Sequence, residues 1–123
     1  MITGQISTNN EAVINLVAAG PTGQRRQIEA VIDTGYNGDL TLPSELAQAL
    51  QLPFAGYRQA TLADNSVVVL SVYLATVVWH GQVHEVLVAQ ADGAPLIGMS
   101  LLRWSRMTMD VIEEGAVSIE RLR

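Results

Sequence analysis

Short alternating stretches of apolar and polar residues run along most of the chain. Ile14, Leu16 and Ala18 alternate with polar or small neighbours between the turn pairs Asn9-Asn10 and Gly20-Pro21, the two-residue period of a strand with one buried face. The run 26–32 becomes apolar on both faces at Ala30-Val31-Ile32, as a strand does on entering a core. Leu40 and Leu42 predict a short strand after the turn signal Asn37-Gly38. Further strands are expected over 57–62 and 67–79, the second presenting Val68, Leu70, Val72, Leu74 and Val78 on one face. Either His80-Gly81 or Gly81-Gln82 then turns the chain into a strand over 83–89. Met107, Met109 and Val111, followed by Gly115, Val117 and Ile119, repeat the theme. Helical signals are confined to two places. In 43–50 a proline fits the first turn, Glu45 favours the positive end of the helix dipole, and Leu46 and Leu50 share a face. A helical turn also fits 98–103. The pattern is mostly β with one or two short helices. With no linker-like segment or repeat, it reads as a single domain over 1–123.

Composition adds a surplus of apolar residues. Hydrophobic residues make up 49% of the 123 and charged residues only 15%. A domain this small buries about two-thirds of its unfolded surface, so apolar surface is expected to be left for a second copy. The net charge is −5, lysine is absent, and the seven arginines are scattered with Arg25-Arg26 the only adjacent pair. Nucleic acid needs clustered positive charge, so no nucleic-acid partner is expected. The absence of cysteine removes disulfides, thiolate catalysis and cysteine-ligated zinc. The first residues lack a basic start and apolar core, and no apolar stretch is long enough for a spanning helix. The chain is therefore read as soluble and cytoplasmic, without a membrane partner.

Candidate chemistry lies at Ala30-Val31-Ile32-Asp33-Thr34-Gly35. Buried strand residues there deliver a carboxylate, a hydroxyl and a glycine to a sharp turn. Asp33 supplies an acid at the floor of a cleft, Thr34 a hydroxyl able to brace the loop, and Gly35 backbone freedom and close approach. Far downstream, Pro95-Leu96-Ile97-Gly98-Met99-Ser100-Leu101-Leu102 gives two apolar residues, a glycine and a short helical segment. Between them lie Tyr36-Asn37-Gly38-Asp39-Leu40-Thr41-Leu42-Pro43 and a hairpin tip at Thr61-Leu62-Ala63-Asp64-Asn65-Ser66. In this order the pieces resemble the retropepsin-like aspartic proteases, in particular their small single-domain bacterial and archaeal members.

The resemblance implies a retropepsin-like closed β-barrel or sandwich with one lobe per chain, and an aspartic endopeptidase needing no metal or cofactor. Asp33, Thr34 and Gly35 would form the catalytic loop. Tyr36 and the flap residues Leu62, Ala63, Asp64 and Asn65 would meet an extended peptide substrate. Because the chain has a single Asp-Thr-Gly, the second carboxylate would come from the partner in a homodimer. The interface strands would then lie near 2–7 and 117–119. Two departures leave a second reading open, a retropepsin-fold dimer that binds peptide with little or no cleavage. Tyr36 follows the motif where viral members often have alanine or serine, and the flap has no glycine.

Other chemistries fit less well. His80 and His84 flank a turn with no third ligand and read as surface histidines. Asp110, Glu113 and Glu114 read as solvated acids beside a glycine turn, and Asp39 as a turn residue. Trp79 and Trp104 read as core or interface anchors rather than base-stacking platforms. No nucleophile elbow, phosphate-binding loop or dinucleotide fingerprint is present.

Overall fold

The structure, a computed structural model, describes residues 1–123. Ten strands and two short helices follow in the order β1 (Ile2–Ile6), β2 (Ala12–Ala19), β3 (Arg25–Ile32), β4 (Leu40–Leu42), α1 (Ser44–Ala49), β5 (Phe54–Thr61), β6 (Val67–Trp79), β7 (Gln82–Gln90), β8 (Leu96–Ile97), α2 (Met99–Leu102), β9 (Ser105–Met109) and β10 (Ala116–Arg121). The strand order is β5-β6-β7-β4-β8-β3-β2-β1-β10-β9. The sheet curls so that β6 also meets β2, pairing Ala18 with Val77 and Ala19 with Thr76. The fold is mostly β as expected, but closure rests on that short ladder and leaves β5 on one side, and β1, β10 and β9 on the other, outside it. It is a partial barrel rather than a clean one.

The expected alternation holds in β2, where Ile14, Leu16 and Ala18 are buried. They join Leu40, Leu42, Val77, Val88, Ile97, Val117 and Ile119 in one core. Each buried Val, Leu or Ile contributes about 1.5–3 kcal/mol relative to exposure. α1 starts beside Pro43 and buries Ala47, while Leu50 closes its end. The turn after β6 is His80-Gly81, both with positive φ (51° and 75°), the combination that suits a two-residue hairpin.

The long strand β6 departs from the expected single buried face. Val72 is buried, but farther along Ala75, Val77 and Trp79 are buried while Val78 is exposed. Its register with β7 runs unbroken from Val72 to Trp79, so no bulge flips the side chains. The strand also changes ladder partners along its length: β5 pairs over Val67–Tyr73, and β2 pairs with Thr76 and Val77. The terminal strands also differ from expectation. β1 lies between β2 and β10, and β10 between β1 and β9, so both are already paired within the chain rather than free to interleave with a second one. The open sheet edges belong to β5 and β9. No helix is long and apolar enough to cross a membrane.

Candidate active site

Asp33 stands where β3 ends. Its position is fixed by a clasp of backbone segments that are distant in sequence. β8 lies between β3 and β4, parallel to the first and antiparallel to the second, pairing Ile32 with Ile97 and Leu40 with Ile97. The Asp33 amide donates to the Ile97 carbonyl (2.9 Å), and the Val31 amide donates to Pro95 (2.9 Å). The 33–39 loop then wraps the start of α2. Met99 and Ser100 amides donate to the Tyr36 and Gly38 carbonyls (2.8 and 3.1 Å), and the Gly98 amide donates to Asp39 (3.0 Å). The Ser100 hydroxyl adds a bond to the Asn37 carbonyl.

This packing explains the glycine after Leu96-Ile97. A Cβ on Gly98 would sit 2.2 Å from the Gly38 carbonyl oxygen and 2.6 Å from the Tyr36 ring. Any side chain would force the loop carrying Asp33 away from β8. At Gly38 a Cβ would lie 2.3 Å from the Tyr36 phenol oxygen. The Tyr36 ring therefore packs across both glycines as part of the clasp. Burial pushes its phenol above the usual value; nearby Arg58 opposes that shift and Asp39 adds to it.

The Asp33 carboxylate accepts a hydrogen bond from the Gly35 amide at 2.9 Å through Oδ1, and the Tyr36 amide closes the turn on the Asp33 carbonyl (3.1 Å). Asp33 is partly exposed and Thr34 exposed. Both line a shallow cavity of about 380 Å³ with Val31, Leu96, Met107 and Met109. Glu11 is the other acid in that lining. Beside the cavity, the tight 110–115 turn holds Val111 and Ile112 outward, 62% and 68% exposed.

The segment expected as the flap is the hairpin joining β5 to β6. The Leu62 amide donates to Ser66 (2.8 Å) and the Asn65 amide to Leu62 (2.9 Å), while Asn65 takes the left-handed conformation at φ 69°. That is a three-residue loop in which glycine is usual and asparagine tolerated. Asp64 Oδ1 accepts from both the Ser66 amide (2.9 Å) and its hydroxyl (2.6 Å), and these bonds hold its carboxyl below the usual value. The glycine-free tip thus has its own local lock. A second cavity, about 450 Å³, lies at the base of this hairpin between Asp39, Ala55, Tyr57, Arg58, Leu87 and Ser100. Leu62, Ala63, Asp64, Asn65 and Tyr36 line neither of these two cavities; within one chain the flap tip and Asp33 are not brought together.

Two supporting residues escape the sequence pattern. Thr41, 5% exposed between Leu40 and Leu42, accepts a hydrogen bond from the Leu96 amide at 3.0 Å, tying β4 to β8. Asp39 accepts from the Leu87 amide at 3.1 Å and so anchors β7 to the clasp. A polar residue inside an apolar run was the available signal for Thr41, but its partner lies too far along the chain to be read.

Comparison with solved structures places this architecture. The chain is similar to a retropepsin-like aspartic protease from Rickettsia conorii, with a TM-score of 0.60 and 20% sequence identity over 96% of this chain and 88% of the other. The protein has the retropepsin-like fold. No family model matches the sequence, and no curated protein is similar to it.

Proposed function

We propose that the protein is an aspartic endopeptidase that works as a homodimer, with Asp33 of each subunit sharing one proton at the twofold axis. The observation that carries this reading is the placement of a single Asp-Thr-Gly carboxylate on a loop clasped by Gly98, at the rim of an open apolar surface. The retropepsin-like fold supports it. So do Met109, Val111 and Ile112, which leave apolar area uncovered beside Asp33 for a second copy.

Two carboxylates within hydrogen-bonding distance cannot both ionise easily, so one holds a proton while the other stays charged. The charged one draws a proton from a water as it attacks the scissile carbonyl. The protonated one bonds the carbonyl oxygen, and a proton then passes to the leaving nitrogen. The Gly35 amide, bonded to Oδ1, orients the carboxylate, and Thr34 is available to brace the opposite loop. An extended peptide would lie between this floor and the two flaps, bonding by its backbone.

The test is cleavage of a mixed peptide library alongside sedimentation. Asp33→Asn is expected to lower cleavage by about 10²–10⁴-fold while the protein still associates and stays folded. Glu11→Gln separates a dyad made between chains from one made within a chain: it should leave cleavage within about threefold of the parent, well short of what loss of an acid–base group produces. Full activity in Asp33→Asn, or a strictly monomeric active species, would remove the proposal. Activity should peak on the acid side of neutral, where one carboxyl of the pair keeps its proton. A profile flat through pH 9 would argue against the dyad.

A further inference from the structure

A second candidate site lies at the opposite end of the β9–β10 hairpin from Asp33. Met109 lines the Asp33 cavity, whereas Trp104, just before β9, and Arg121, paired with Ser105, line another pocket of about 530 Å³. From Ser105 to Met109 is four strand steps, roughly 13 Å. Although the chain carries a net charge of −5, every ionisable side chain in this pocket is basic: His80, His84, Arg103, Arg121 and Arg123. Arginines scattered through the sequence converge here from α2's end and from β10.

The pocket lining holds more hydrogen-bond donors than the chain itself satisfies. Trp79 is 3% exposed, and its indole N–H is buried with no partner. Arg121 Nε donates to the Arg123 main-chain oxygen, leaving its terminal nitrogens unbonded within the chain. The neighbouring acid, Glu120, instead pairs with Arg106 at 3.6 Å. Arg123 lies 3.6 Å from the Trp104 ring centroid and Arg103 5.8 Å, so the indole orders two guanidiniums at the rim. His80 Nε2 is held by Ser105 Oγ at 2.9 Å, with its ring edge-on to Trp79.

We propose that this pocket binds a phosphoryl group, held by the guanidiniums of Arg103 and Arg121 and by the histidine edge. Planar guanidiniums match the paired oxygens of phosphate, and its double negative charge suits several converging cations better than a lone carboxylate does. The His80 imidazole is held below its usual pKa, first by burial and then by the surrounding positive charge, which is the field an oxyanion would relieve.

The chain's two tryptophans both line this pocket, so intrinsic fluorescence reports on it specifically. The probes are inorganic phosphate and glycerol phosphate at neutral pH, against sodium chloride at matched ionic strength. A saturable change with either phosphate, absent with chloride, is expected. Equal affinity for the two assigns free phosphate as the ligand, and tighter binding of the ester assigns a phosphorylated metabolite. Arg121→Gln and Arg103→Gln should each weaken binding about tenfold or more, while Arg26→Gln, outside the pocket, leaves it unchanged. Circular dichroism confirms that the variants are folded. No saturable response to either probe, or unchanged affinity in both pocket variants, overturns the proposal.

Discussion

The clasp around Asp33 and the tip of the flap are both loops carrying an aspartate, yet they are held in opposite ways. In the clasp, backbone groups from β3, β8 and α2 bond one another over long sequence separations, and Leu40 and Ile97 beneath it are fully buried. At the tip, Asp64 and Ser66 bond across two residues, and Leu62, Val67 and Val69 stand 47%, 59% and 61% exposed. The clasp is therefore as stable as the core it belongs to, whereas the tip can open without disturbing that core. A floor that keeps a carboxylate in register and a separate hairpin free to lift would both serve the proposed cleft.

Substitutions should separate the two regions. Ile97→Ala is expected to have the largest effect, about 2–5 kcal/mol of global stability, because it empties space under β3 and β4 together. Denaturant unfolding would read it, and a loss below 1 kcal/mol would mean that the clasp is not coupled to the core. Gly98→Ala should cost about 1–3 kcal/mol through collision with Gly38 and Tyr36, and should speed exchange of the Asp33 amide bonded to Ile97. Gly56→Ala makes the informative contrast. That glycine sits in the irregular start of the β5–β6 ladder at φ 132° with open space around it, so the cost of about 1–3 kcal/mol comes from backbone strain alone. It should loosen the hairpin and leave exchange at Asp33 unchanged. Equal perturbation of Asp33 by both glycine variants would merge the two regions into one cooperative unit.

Much of this division was legible in the chain itself, for a physical reason. Strand alternation and turn chemistry act over a few residues, so β2, α1, the His80-Gly81 hairpin and the Asp64-Asn65 tip can be recognised locally. The Asp33 motif and Leu96-Ile97-Gly98 could be linked because their order resembles a known family. What alternation cannot carry is which face of a strand finds a neighbour. Val78 keeps the period of Val72 yet is exposed, while Val77 beside it is buried where β6 also meets β2. Tyr36 was expected in the cleft, but its direction depends on two glycines, one of them Gly98 far downstream. The pairing of β1 with β10 inside the chain and the convergence of Arg103 and Arg121 are likewise products of tertiary closure.

The smallest expected effect is a pH dependence confined to the flap. The Asp64 carboxyl is held below its usual value by the Ser66 hydroxyl and then the Ser66 amide. Its contribution is therefore complete above the ordinary carboxylate value and fades as pH falls through the lower folded value. The group is fully exposed, so global stability should barely register the change, and the local Ser66 amide resonance is the place to look. That resonance should titrate with a midpoint below the ordinary carboxylate value. Asp64→Asn should abolish the titration, because the amide oxygen still accepts from Ser66 but carries no proton equilibrium. The lowered value has a consequence for the proposed chemistry: on the acid side of neutral, where a carboxylate pair shares its proton, the tip would remain ionised and locked. A Ser66 titration at or above the ordinary value would show that these bonds do not favour the charged carboxylate.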